Sequence, residues 1–180
     1  MKGTAWIDAG NAECLVFTEK EGLLAAAAHD LKLRVERFRI RVGAGTTVEG
    51  DFDPASLRVV CARRAGRDVP GLLSPRDRAE IEANIAAKVL QARTHPSIRF
   101  RSTSVTAVAG GFRIEGLLAL HGRERPVVAH ARKVGDRALA ECSIFQPDFG
   151  IQPFSAMLGT LKVKPRVTVQ LRGPAGSLGE

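Results

Sequence analysis

The side chains that could do chemistry in this chain are few and scattered. It has four histidines, His29, His95, His121 and His130, and three cysteines, Cys14, Cys61 and Cys142. His29-Asp30 is the only adjacent His/Asp pair. In a strand, neighbours point to opposite faces, so these two cannot share a site. The other histidines have no metal-ligand spacing, and His95 and His121 fall in or beside expected turns. The cysteines form no CxxC pair, and an odd number cannot all pair internally. There is no P-loop, no GxGxxG and no GxSxG, and no nucleophile stands at a recognisable spacing from a base. The residues therefore predict no catalytic group, no metal and no cofactor.

What the sequence does offer is a lining. On the faces assigned inward lie Ala25, Ala27, His29, Leu31 and Leu33, then Phe100, Ser102 and Ser104. Ile114, Gly116, Leu118 and Leu120 follow, then Ala129, Ala131, Ala140 and Cys142. Large inward residues would fill a barrel of about eight strands; small ones leave room. Apolar walls with a few hydroxyls describe a ligand pocket. His29 is either a polar contact for a ligand head group or a hydrogen-bonded interior histidine. Filling of the space by a helix or long loops is the open alternative.

These positions depend on strands that keep their register. Residues 98–145 read as a four-stranded antiparallel meander. Gly110-Gly111 fits a tight hairpin turn, 121–126 a polar loop ending in Pro126, and 134–137 a further turn. Such a meander must stack on another sheet or close on itself. Before it, residues 6–8 and 13–18 read as one strand broken by Gly10-Asn11. Residues 23–35 form a long second strand, 38–42 an edge-like one, and 46–52 and 57–63 two short ones. Residues 65–73 are a loop. A helix spans 74–90, with Ser74 as N-cap, Pro75 at its first position and Ile81, Ile85 and Val89 on one stripe. It is expected to pack over an open end or side of the barrel. Residues 146–160 are a loop, and 161–171 a last strand interrupted by Pro165. A single domain over 1–172 and a frayed tail over 173–180 are expected.

Composition narrows the partners. The net charge is +8, yet only 5% of residues are aromatic and none is tyrosine. The basic residues are spread along the chain, with few rings for base stacking, which argues against nucleic acid. No apolar run is long enough to span a membrane, and the first residues show no apolar leader. With unpaired thiols, that predicts a cytoplasmic protein. A homodimer is compatible with the sequence.

Several short segments resemble one family. Pro96 followed by Ile98, Phe100 and Ser102 is similar to its proline-then-I-x-F-x-S strand. Gly116, Leu118, His121-Gly122 and Pro126-Val127 resemble its G-x-L-x-x-H-G…P-V hairpin. Asp148-Phe149-Gly150-Ile151 resembles its D-F-G-I loop, and Phe52-Asp53-Pro54 fits a further short motif. In order and spacing they resemble the YceI-like, polyisoprenoid-binding family over nearly the whole chain. The family's R-D-x-H-L segment and paired phenylalanines are missing, and the capped helix stands there instead. The resemblance implies an all-β fold with one helix, an extended antiparallel lipocalin-like β-barrel. It also implies a lumen that holds an isoprenoid or similar amphiphile without catalysis. The alternative is a filled barrel docking an acidic partner through its basic surface or helix stripe. An enzyme acting on a lipid in the lumen is the weakest rival.

Overall fold

The computed structural model describes residues 4–21, 29–43, 47–156 and 161–175. In chain order its strands are β1 (Ala5–Asp8), β2 (Glu13–Thr18), β3 (Lys20–Glu21), β4 (Asp30–Val35), β5 (Phe38–Val42), β6 (Val48–Phe52), β7 (Leu57–Arg64) and β8 (Arg67–Val69). After the helix α1 (Pro75–Asn84) come β9 (Ile98–Val108), β10 (Gly111–Leu120), β11 (Arg123–Val134), β12 (Arg137–Phe145), β13 (Ser155–Ala156), β14 (Leu161–Val163) and β15 (Arg166–Pro174). Twelve of them form one strongly curled sheet, in the order β1-β5-β6-β9-β10-β11-β12-β15-β2-β4-β7-β8. A second sheet joins β13, β14 and β3. The expected meander stands at the centre as β9 to β12, every step antiparallel.

The strand count exceeds the expected eight because the N-terminal half is more divided than its pattern suggests. Gly10-Asn11 is not a kink in one strand. The Ala12 amide donates to the Asp8 carbonyl at 2.9 Å, and Asn11 Nδ2 donates to the Trp6 carbonyl at 3.0 Å. That turn sends β1 to β5 and β2 to β15, far apart in the sheet. The segment read as the loop 65–73 contains β8, folded back on β7 through Ala65 and Gly66, both at positive φ. Pro165 ends one strand and starts another: β14 lies in the small sheet, β15 in the large one. β15 also runs on past residue 172, with Gly173 opposite Ala138 and Pro174 opposite Arg137, so the strand takes the first residues of the expected tail.

The polar loop expected over 121–126 is a two-residue turn. His121 and Gly122 both have positive φ, 53° and 73°, the geometry that matches strand twist in a hairpin. β11 therefore starts at Arg123 and contains Pro126, opposite Leu117. Pro126 is tolerated because β12 pairs with β11 only from Ala129 onward, so no ladder bond needs its missing N–H.

Ser74 caps α1 as expected. Its hydroxyl accepts from the Asp77 amide at 3.1 Å, and Asp77 Oδ2 accepts from the Ser74 amide at 3.0 Å, a closed capping box. From Ile85 to Val89 the helix widens into a π turn. Glu82 ties it to the sheet, accepting from the Val59 amide of β7 at 2.8 Å. Val59 lies beside a register shift in the β4–β7 pairing. Ser74→Ala removes one half of the box and is expected to cost about 1 kcal/mol. Asp77→Asn should cost less, since the amide oxygen still accepts from Ser74. Urea midpoints of both variants check this.

Candidate functional site

Alternation along the strands puts one side-chain set inside the curl. From β10 these are Phe112, Ile114, Leu118 and Leu120; from β4, Leu31, Leu33 and Val35; from β15, Val167, Val169 and Leu171. They enclose a cavity of about 1180 Å³. Ladders, not side chains meeting across the middle, hold its walls. Ile81, Ile85 and Val89 of the helical segment form part of its wall.

Eleven of the expected lining residues reach this cavity: His29, Leu31, Leu33, Phe100, Ile114, Leu118, Leu120, Ala129, Ala131, Ala140 and Cys142. Ala27, like Ala25, lies outside the described residues. Three others are corrected. Between Glu115 and Gly116 the β9–β10 register shifts: Ser104 opposes Glu115, Ser102 opposes Gly116, and Thr103 is left over. That one-residue bulge flips the parity of everything after it. Ser104 joins the outer face with Glu115, and Val105 takes the inward place. Ser102 keeps inward parity, but its hydroxyl accepts from the Val48 amide at 2.8 Å, where the β6–β9 ladder ends. Gly116 does not open space in the lumen either. A Cβ there would stand 2.5 Å from both Cζ of Phe100 and the Arg101 carbonyl oxygen. The missing side chain is the seat of the Phe100 ring.

The wall also includes residues that pattern reading missed. Ile7, Ile40 and Phe52 enter from β1, β5 and β6, and Ile151 from the loop after β12. Polar groups are sparse. Thr18, Lys20, His29, Thr47, Asp53, Glu141, Gln146 and Lys162 stand in the lining, with Asp77, Glu80 and Asn84 from the helix. The Thr18 hydroxyl is buried with no hydrogen-bond partner among the described residues. Burial pushes the Cys142 thiol up to about 11 and that of Cys14, also in the lining, up to about 12. Both are protonated at neutral pH and are poor nucleophiles. Among the described residues, no group of three or more His, Cys, Asp or Glu could hold a metal ion.

At one end of the cavity, three segments distant in sequence meet. The rings of His95 and His121 lie 4.4 Å apart between centroids. His121 Nδ1 is 3.3 Å from the Phe149 carbonyl oxygen. The Arg123 guanidinium packs on Gly150, whose φ of 69° suits glycine. Phe149 and Ile151, each 2% exposed, pack with Leu118 and Leu120. The motifs around His95, His121 and Phe149 are thus one packed junction that seals the apolar wall.

A family model, the YceI-like domain, matches residues 17–175. The chain belongs to the YceI-like family. Among solved structures, BcnA of Burkholderia cenocepacia is similar, with a TM-score of 0.62 and 13% identity over 92% of this chain and 97% of that one. A polyisoprenoid-binding domain from Saccharophagus degradans, implicated in plant cell wall breakdown, has a TM-score of 0.55 and 10% identity over 97% and 99%. At such identities the likeness concerns the fold. No curated protein matches the chain.

Two outcomes are expected from this geometry. Gly116→Ala drives a methyl group into the Phe100 ring and into backbone, and should cost roughly 1–3 kcal/mol in a denaturant melt. Gly116→Ala combined with Phe100→Leu should recover part of that loss. The second concerns pH. Burial first, then the charges of His95 and Arg123, hold the His121 pKa below its ordinary value, against the Phe149 carbonyl, which favours the proton. The unfolded chain therefore takes up a proton here before the folded one does. The stability that neutral His121 contributes is complete above about pH 6.5 and is lost as pH falls below that value. His121→Asn should flatten this part of the stability profile, read as urea midpoints between about pH 7.5 and about pH 5.5.

Proposed function

We propose that this YceI-like domain binds an apolar or amphiphilic small molecule, an isoprenoid or similar lipid, inside its lumen and acts on it without covalent chemistry. The observation that carries the reading is the hollow: about 1180 Å³ walled mainly by aliphatic side chains. Drug-sized ligand pockets run to roughly 1,000 Å³. Each buried CH₂ contributes about 0.8 kcal/mol, so a five-carbon isoprene unit gains about 4 kcal/mol before ordering costs. A long chain needs few polar contacts, and the lumen offers few. The polyisoprenoid-binding domain from Saccharophagus degradans, of similar fold, supports the same ligand class.

The filled-barrel alternative is disfavoured by that volume. The protonated Cys14 and Cys142 thiols support carriage over catalysis. Three free cysteines, two of them buried, fit a reducing compartment, which supports a cytoplasmic carrier.

Ala129 lines the cavity, while His130, its neighbour, is exposed. Ala129→Phe should enter free space, cost less than about 1 kcal/mol of stability and displace ligand. Binding of a fluorescent isoprenoid analogue should weaken at least about tenfold, a loss of about 1.4 kcal/mol. His130→Phe should bind as the native chain does. Unchanged binding in Ala129→Phe would reject a ligand in the lumen. Native mass spectrometry of freshly purified protein is expected to show a co-purifying apolar species.

A further inference from the structure

Among the described residues, three large hydrophobic side chains are strongly exposed: Trp6, Val108 and Val134. The Arg39 guanidinium covers Trp6, 3.9 Å from its ring centroid. The two valines are bare, and both sit at hairpin tips. Val108 ends β9 and Val134 ends β11. Register places Val108 opposite Gly111 and Gly111 opposite Arg132. The valines thus stand two strands and two residues apart, about 10 Å by about 7 Å. Each lies three positions beyond a cavity-lining residue, Val105 and Ala131, so both point outward. The turn glycines Gly110 and Gly135 have nothing within 4 Å of a Cβ position, so both tips project into open space.

Cations cluster beside Val134. Arg132, Lys133 and Arg137 are exposed at the β11–β12 tip, against one carboxylate there, Asp136. The side chains of Arg132 and Lys133 make no ion pair among the described residues, whereas several inboard cations do, as Arg113 with Glu115 and Lys32 with Asp68. The β9–β10 tip, residues 106–110, carries no charge. The cavity reaches the same end, where Phe112, Ala138 and Gly173 line it and Ala138 adjoins Arg137. Two exposed valines beside a cluster of cations at the β11–β12 tip fit an anionic interface, where the apolar side chains insert and the charges meet phosphates.

We propose that this end of the barrel docks on an anionic lipid bilayer. Val108 and Val134 enter the headgroup layer, Arg132, Lys133 and Arg137 contact lipid phosphates, and the lumen takes up or releases its ligand there. The exchange step rests on the carrier reading; the docking step does not.

The test is sedimentation with vesicles of phosphatidylcholine alone or mixed with phosphatidylglycerol, together with isoprenoid-analogue binding in vesicle-free buffer. The native chain should sediment with the mixed vesicles only, and added salt should release it. Val108→Asp with Val134→Asp, and separately Arg132→Glu with Lys133→Glu, should each lower partitioning by at least about tenfold. Both should keep native melting behaviour and native affinity for the analogue. Trp6→Ser should partition like the native chain. Docking is overturned if the native chain ignores mixed vesicles, if the tip variants still partition, if Trp6→Ser abolishes binding, or if duplex DNA is bound in place of vesicles. Vesicle binding without analogue binding would support docking and defeat the carrier reading. Analogue binding without vesicle binding would do the reverse.

Discussion

An empty apolar lumen forfeits the dispersion contacts that side chains would make across it, so its walls must be fixed by other means. Here they are fixed by backbone ladders. Twelve strands share one hydrogen-bonded sheet, and β15 joins the meander to the N-terminal strands by pairing with both β12 and β2. Every other property follows from that choice. The inward residues need only be apolar and short enough to leave space. The outward residues are free to carry charge, as in the cross-strand pairs Arg41–Glu49 and Lys32–Asp68.

Where the ladders cannot reach, packed clusters take over. Phe149 and Ile151 hold one end against Leu118 and Leu120. Ile7, Cys14, Val35, Phe38 and Ile40 form a second cluster that draws β1 and β5 onto β2 and β4. Leu33, Val59, Ala62 and Leu73 form a third, on which Ile81 and Ile85 of the helical segment rest. No residue of α1 is fully buried, and its inner face is cavity wall. Its attachment therefore leans on Glu82 and the capping box as well as on apolar contact.

The basic surplus is spread over the fold. Several strand arginines have carboxylates within reach, as Arg41, Arg63 and Arg113 do, and exposed pairs of that kind add little stability. Their effect is to keep a wide outer face soluble and in register.

Much of this was legible in the chain itself. Period-2 alternation in β10 and β12 fixed which side chains face the lumen, since neither strand holds a bulge. Ser74, Pro75 and Asp77 determined where the helix starts, because capping is local chemistry. The ordered short motifs indicated the family. Tertiary structure decided the rest. Nothing local in 98–108 reveals that Thr103 is a bulge; it arises where β6 stops at Val48 and Ser102 turns its hydroxyl to that amide. Gly116 reads as empty space until Phe100, from another strand, lies across it. The separate destinations of β1 and β2, and the meeting of His95, His121 and Phe149, depend on pairings between residues far apart in sequence. Parity is a local property of a strand. Register, bulges and what fills a gap are set by the partner strand, and no single segment carries that information.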